Sequence, residues 1–366
     1  MHLYLHVPFC ARRCSYCDFA IAVRHTVPSD RYADAVLAEW RAWQDHPAWG
    51  ASPGLDTVYF GGGTPSLLGA SSLARIMEGL VARRGLVPDA ELTLEVNPDD
   101  VTPASAAAWH AAGVNRISLG VQSFNPRVLA WMHRTHTHEQ VPVAVEVLRG
   151  AGLENISLDL IFGLPTELGR SWSDDLDQAL RLEPLHLSVY GLTVESHTPL
   201  ARWVARGETR PPLDASYADE FLTAHARLTA AGYEHYEVSN YGRPGRRAIH
   251  NQAYWKRAPF VGLGPSAHSG LHVERRWNHR EWAAYDAAIS RGESPVAGRE
   301  LLDADALRLE GLYLGLRTLD GLPAAQIPGR ESEQWFRAGW LVSADGRSRL
   351  TPEGWLRMDA LIAQLL

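Results

Sequence analysis

Cysteine is scarce in this chain. The 366 residues contain three, Cys10, Cys14 and Cys17, all within eight positions, so they cannot pair evenly into disulfides. Long hydrophobic runs are missing too. No stretch approaches the roughly 18 consecutive apolar residues of a membrane span, and the opening "MHLYLHVPF" has no basic segment leading into an apolar one. A cytoplasmic protein with no integral membrane segment is expected. There is no excess of positive charge either: the formal net charge is -7, and basic pairs such as Arg12-Arg13, Arg83-Arg84 and Arg246-Arg247 are scattered as solvated surface would be. A general nucleic-acid binder, which needs a basic face for phosphates, is thereby excluded. What the chain does have is length and 46% hydrophobic residues, enough for two domains or one large α/β domain with additions.

The cysteines lie in "HVPFCARRCSYCDF", spaced C-x3-C-x2-C after a short apolar strand. Three chemistries suit such a cluster. Structural zinc needs four N or S ligands, with His6 the nearby fourth. Cys14 and Cys17 form a C-x-x-C pair, although a redox dithiol would not carry a third thiol four residues upstream. Three thiolates can also hold three irons of a cubane cluster, which leaves the fourth iron open to another ligand.

A second signal follows in "LDTVYFGGGTPS", where an apolar strand runs into Gly61, Gly62, Gly63 and Thr64. Glycines at the carboxyl end of a strand allow close approach to the backbone. Around these two loops the chain alternates strands and helices. Strands are predicted over 3–7, 57–60, 92–96, 116–121, 155–162 and 186–192, with helices near 29–46, 70–84, 103–112, 138–151 and 172–183. Six such units make a partial (βα)6 barrel, whose ligands gather at the carboxyl ends of its strands. Polar residues placed there are Glu95, which faces away from Leu92, Leu94 and Val96, Gln122 at the end of "SLGVQ", and Asp159 inside the apolar "ISLDLIF". Arg134 could supply a charge-assisted contact to a carboxylate.

The cysteine loop together with G-G-G-T-P resembles the radical S-adenosylmethionine (SAM) superfamily, in the branch of the oxygen-independent coproporphyrinogen III oxidase. The likeness covers roughly the first 270 residues. It implies a [4Fe-4S] cluster on Cys10, Cys14 and Cys17, with SAM on the open iron. Tyr4, Gly62 and Glu95 match residues that hold the cluster-bound SAM; Tyr16, Gly63, Thr64, Gln122, Arg134 and Asp159 match positions lining the SAM cavity or a second SAM site, and Thr193 does so more loosely. The oxidase has a further cysteine where this chain has Phe19, and an arm ahead of its first strand where this chain has three residues before Tyr4. Both departures resemble the HemW-type haem chaperones of the same superfamily. That implies a protein that binds haem and transfers it to an acceptor protein, without coproporphyrinogen oxidase activity and with no catalytic residue assigned. A homodimer is a further expectation. The rival reading is a radical SAM enzyme acting on a porphyrinogen.

The segment "HNQAYW", residues 250–255, also resembles the haem chaperones. His250 is the candidate haem ligand, on an exposed or openable loop with Tyr254 and Trp255 against the macrocycle. His268, in the loop-like "VGLGPSAHS", is a second candidate; His133, His136 and His138 fit a polar loop at least as well as a metal site. Three regions are expected: a radical SAM core barrel over 1–200, a barrel-covering extension over 201–295, and a smaller α+β, winged-helix-like domain over 296–366. The last would begin with a helix in "ELLDADALRLEGLYLGLRTLDGL" and contain a hairpin around "SADGRSR". Its final helix is not basic, so it suits interaction or haem docking better than DNA.

Overall fold

The computed structural model describes every residue except Ala51 and Leu366. Six parallel strands, β1 (His2–Val7), β2 (Leu55–Gly62), β3 (Leu86–Val96), β4 (Arg116–Gln122), β5 (Ile156–Phe162) and β6 (His186–Gly191), lie side by side in chain order. The longer helices that connect them are α1 (Ser29–Trp43), α2 (Ala70–Arg84), α3 (Pro103–Ala111), α4 (Gln140–Gly150) and α5 (Trp172–Arg181), with a short helix, Pro126–Trp131, ahead of α4. The α/β alternation of the sequence is thus realised. Each strand is a short β-branched and leucine-rich run that can be buried on both faces, as parallel strands between helices must be. Each helix buries one stripe. In α1, Tyr32, Val36, Trp40 and Trp43 recur at helical spacing against the sheet. Thr102 caps α3 by accepting from the Ser105 amide, and Pro103 follows at the first helical position.

The sheet continues beyond these six. Strands β7 (Glu234–Glu237), β8 (Asn240–Gly242), β9 (Phe260–Leu263), β10 (His268–Leu271), β11 (Glu274–Asn278) and β12 (Val296–Leu301) bring it to twelve, in the order β12-β11-β10-β9-β1-β2-β3-β4-β5-β6-β8-β7. β9 runs parallel to β1, with Leu3 opposite Val261 and Leu5 opposite Leu263. The segment 261–269 is therefore strand, turn and strand where the sequence suggested a loop. Gly262 pairs where any Cβ would meet the His268 backbone at 2.2 Å, and its amide donates to Ser269 Oγ at 3.0 Å.

Residues 300 and 301 belong to β12 and Leu322 to a short strand, so the helix expected over 300–322 is confined to Ala304–Leu316, with Asp303 accepting from the Ala306 amide as its cap. A helix over Gly329–Arg337 and a hairpin of Leu341–Ala344 with Arg347–Leu350 follow. Asp345 and Gly346 turn that hairpin, both at positive φ as a two-residue type I′ turn requires. Among the described residues no helix is long and apolar enough to cross a membrane.

Candidate functional site

The chain leaving β1 carries the cysteines, and the chain leaving β2 carries the glycines; the two loops are bonded together through their backbones. The Gly63 amide donates to Val7 O at 2.7 Å and the Thr64 amide to Phe9 O at 2.8 Å. The far side of the cysteine loop is held by the Ser15 amide on Met132 O and the Leu200 amide on Ser15 O. Glycine is obligatory at this seam for packing reasons. A Cβ on Gly63 would lie 2.9 Å from Cys10 Sγ and 2.8 Å from Phe9 O, and one on Gly62, at φ +112°, would lie 2.7 Å from the His6 ring.

All three thiols are free and border one cavity, beside Gly62, Gly63 and Thr64. Cys10 is buried and accepts a hydrogen bond from Thr64 Oγ1 at 3.5 Å; Cys14 Sγ lies 3.8 Å from an Arg134 guanidinium nitrogen. Burial raises the Cys10 thiol and pushes Cys17 up to about 11, so a metal has to displace their protons. No three His, Cys, Asp or Glu side chains among the described residues converge on a single ion. The thiols instead share a cavity, an arrangement that suits a multi-iron group with one thiolate per iron. His6 does not complete a zinc set: Nε2 bonds Ala20 O at 2.9 Å and Nδ1 the Tyr4 hydroxyl at 3.2 Å.

The strand ends supply the polar wall. Glu95 accepts from the Tyr59 hydroxyl at 2.9 Å and from the Gly62 amide at 3.1 Å, and burial pushes its carboxyl up to about 7. Asp159 accepts from Ser118 Oγ at 2.8 Å, and burial raises it to about 6. In β4 the register shifts between Leu119 and Gln122, and Gln122 takes φ +66° at the rim. Arg134 donates to Asn97 Oδ1 at 2.6 Å and to Gly120 O at 2.7 Å, while its Nε is buried without a partner. An orphaned guanidinium N–H in a cavity that Glu95 and Asp159 also border fits an amino-acid-like ligand that carries both an ammonium and a carboxylate. Tyr16 also lines this cavity. Tyr4 lines a neighbouring one, stacked on Tyr59 at 6.0 Å.

His250 departs from expectation. It sits in a helix, Ile249–Trp255, and is 1% exposed. Its Nδ1 is 2.6 Å from Thr57 Oγ1 and its Nε2 2.8 Å from the Tyr254 hydroxyl, its ring stacks on Tyr59 at 5.0 Å, and burial holds its pKa near about 3. Neither nitrogen is available to iron in this conformation, so the exposed loop is replaced by a closed, hydrogen-bonded core. Tyr254 packs edge-on to Phe260, and Trp255 lies under the Arg317 guanidinium at 4.4 Å. His133, His136 and His138 do not converge: His133 packs on Trp203, His136 bonds Val121 O, and His138 faces Glu139.

Residues not singled out from sequence complete the site. Asn97 and Gly120 position Arg134, since a Cβ on Gly120 would come 3.1 Å from the Arg134 guanidinium. Ser118 holds Asp159. Asn97 directly follows "LTLEV" at a strand end and could have been found by that placement; Gly120 and Ser118 sit inside an ordinary strand pattern that carries no such signal.

The chain matches the Radical SAM superfamily over residues 4–179. It is 40% identical to "Heme chaperone HemW" of Mycobacterium tuberculosis (strain ATCC 25618 / H37Rv) over 374 aligned positions, 100% of this chain and 94% of that one. It is 38% identical to the protein of the same name from Escherichia coli (strain K12), over 73% of this chain and 69% of that one. Among solved structures, coproporphyrinogen III oxidase (HemN) from Escherichia coli superposes with a TM-score of 0.79 at 22% identity, over 99% of this chain and 89% of that chain, which establishes the fold alone. The chain belongs to the HemW branch of the radical SAM superfamily.

Proposed function

We propose that this protein binds haem and passes it to an acceptor protein, while Cys10, Cys14 and Cys17 hold a [4Fe-4S] cluster and SAM lies along Gly62, Gly63, Glu95 and Arg134. The observation that carries the proposal is the bordering of one cavity by three free thiols, the glycine seam and Arg134, whose Nε is orphaned, in a chain 40% identical over its full length to a relative named a heme chaperone. The cluster, when bound, supplies one-electron chemistry and an iron open to SAM. The chain's own residues do the rest. Glu95 offers an acceptor for the ammonium, Arg134 a donor for the carboxylate, and Tyr16 and Gln122 line the remaining wall. The Asp159 carboxyl, held by Ser118, would accept from a ribose hydroxyl of that ligand. Function in the cytoplasm and as a homodimer belongs to the same proposal.

One observation favours a second reading, a radical SAM enzyme acting on a porphyrinogen: Glu95, Gln122 and Asp159, at three strand ends, all border the cavity of the cysteine loop. Anaerobic reconstitution with iron and sulfide, followed by haem titration and a SAM-cleavage assay on the same sample, separates the two. Saturable haem binding without SAM turnover supports the carrier; SAM cleavage driven by a porphyrinogen supports the enzyme.

A further inference from the structure

A second cavity, of about 360 Å³, lies beside the first. Its lining includes four aromatic rings, Tyr4, Phe19, Tyr254 and Phe260, together with His268 and Arg280. The volume is at the lower end for small-molecule sites, so a large planar ligand would be gripped by one part and left accessible at another. Phe19 is 58% exposed and borders both cavities, so its ring is open to a ligand in either.

His268 contrasts with His250 at every point. It opens β10, is exposed, and its ring stacks on Trp277 at 6.0 Å with 28° between planes, which orients it. Neither ring nitrogen has a hydrogen-bond partner among the described residues. Partial burial lowers its pKa below the usual histidine value, which keeps the imidazole neutral at pH 7. Arg280 is exposed, donates through one nitrogen to Asp18 O at 2.9 Å, and has no carboxylate partner among the described residues. A neutral imidazole with a lone pair to give, aromatic walls and an unneutralised guanidinium together describe a ligand that is flat and apolar, metal-centred and anionic at its edge.

We propose that this second cavity seats haem, with His268 as axial ligand to the iron and Arg280 paired to a propionate. The inference rests on the haem-binding reading above and deepens it by naming the site. The cavity shares the Phe19 wall with the cluster cavity, so haem and cluster would be neighbours on separate ligands. Its accessibility suits a cargo that has to leave.

The test is haem titration into the reconstituted full chain, followed by its Soret band, for the wild type, His268→Gly and Arg280→Ala. His268→Gly should weaken haem binding at least tenfold and shift the Soret band, and free imidazole should restore the wild-type band by filling the vacated position. Arg280→Ala should weaken binding several-fold with the band unshifted, and both variants should keep their iron and sulfide. Wild-type affinity and spectrum in His268→Gly, or a loss that imidazole does not restore, would overturn the site while leaving haem binding itself intact. No saturable haem binding by the wild type would overturn the reading on which the site rests.

Discussion

Thr57 Oγ1 lies 2.6 Å from His250 Nδ1, tying the first turn of the "HNQAYW" helix to the second strand of the sheet. With Tyr254 on the other ring nitrogen and the Glu91 carboxylate accepting from the His250 amide at 2.9 Å, this histidine acts as a structural pin. His250→Ala should therefore cost about 1–3 kcal/mol of stability, the usual penalty for leaving buried partners unsatisfied. Chemical denaturation measures this directly. The haem Soret position of the folded variant should match the wild type; a shifted band would return His250 to the list of iron ligands.

Gly63 tests the seam between the two loops. Its Cβ position is filled from two sides, by the Phe9 carbonyl and the Cys10 sulfur, so alanine there must push the cysteine loop away from β2. Gly63→Ala should fold yet incorporate well under half the wild-type iron and sulfide on reconstitution. Gly150→Ala, with open space around the same position, is the matched control and should load fully. Equal loading of both variants would show that the seam does not govern the cluster loop.

Glu95 sets a pH dependence. Burial raises its carboxyl from 4.5 to about 7, so between these values the folded chain keeps a proton that the unfolded chain has released. The folded state binds more protons at this group, and its contribution to stability falls as pH rises through that window. Asp159, raised to about 6, acts in the same direction, while buried histidines such as His250, lowered to about 3, act in the opposite one, so the Glu95 contribution is read as a difference between variant and wild type. The melting temperature of metal-free Glu95→Gln, relative to the wild type, should therefore rise between about pH 5 and pH 7. A difference that does not change with pH would assign the dependence elsewhere.

Coproporphyrinogen III, SAM and a reductant, incubated anaerobically with the reconstituted protein, should give no protoporphyrinogen. Where the oxidase has a further cysteine, this chain presents an exposed phenylalanine, Phe19, between two cavities. Sustained turnover would favour the enzymatic reading over the carrier.

The elements legible in the sequence were those whose signal is local. The predicted helix over 70–84 is found at Ala70–Arg84, and the other barrel strands and helices are found within a few residues of their periodic runs, except that β3 begins six residues early. Glu95, Gln122 and Asp159 were legible because each interrupts or ends an apolar run, and the structure brings all three to the cavity of the cysteine loop. What failed depends on distant partners. Nothing near His250 shows that Thr57, 193 residues away, would occupy its Nδ1. The glycine-rich "VGLGP" resembles a loop until β1 is present to pair with it, since Gly262 can only be placed in a strand once its neighbour is known.

The central claim is that three cysteines hold a cluster and that haem binds the same chain on other residues. The most direct measurement is the iron, acid-labile sulfide and haem bound per chain after anaerobic reconstitution, compared between the wild type and Cys14→Ala. The account predicts that the wild type carries both a [4Fe-4S] cluster and haem, and that Cys14→Ala loses the brown chromophore and the sulfide while still giving a haem Soret band. A Cys14→Ala protein with its full complement of iron and sulfide, or a wild type that takes up only zinc and no haem, would contradict it.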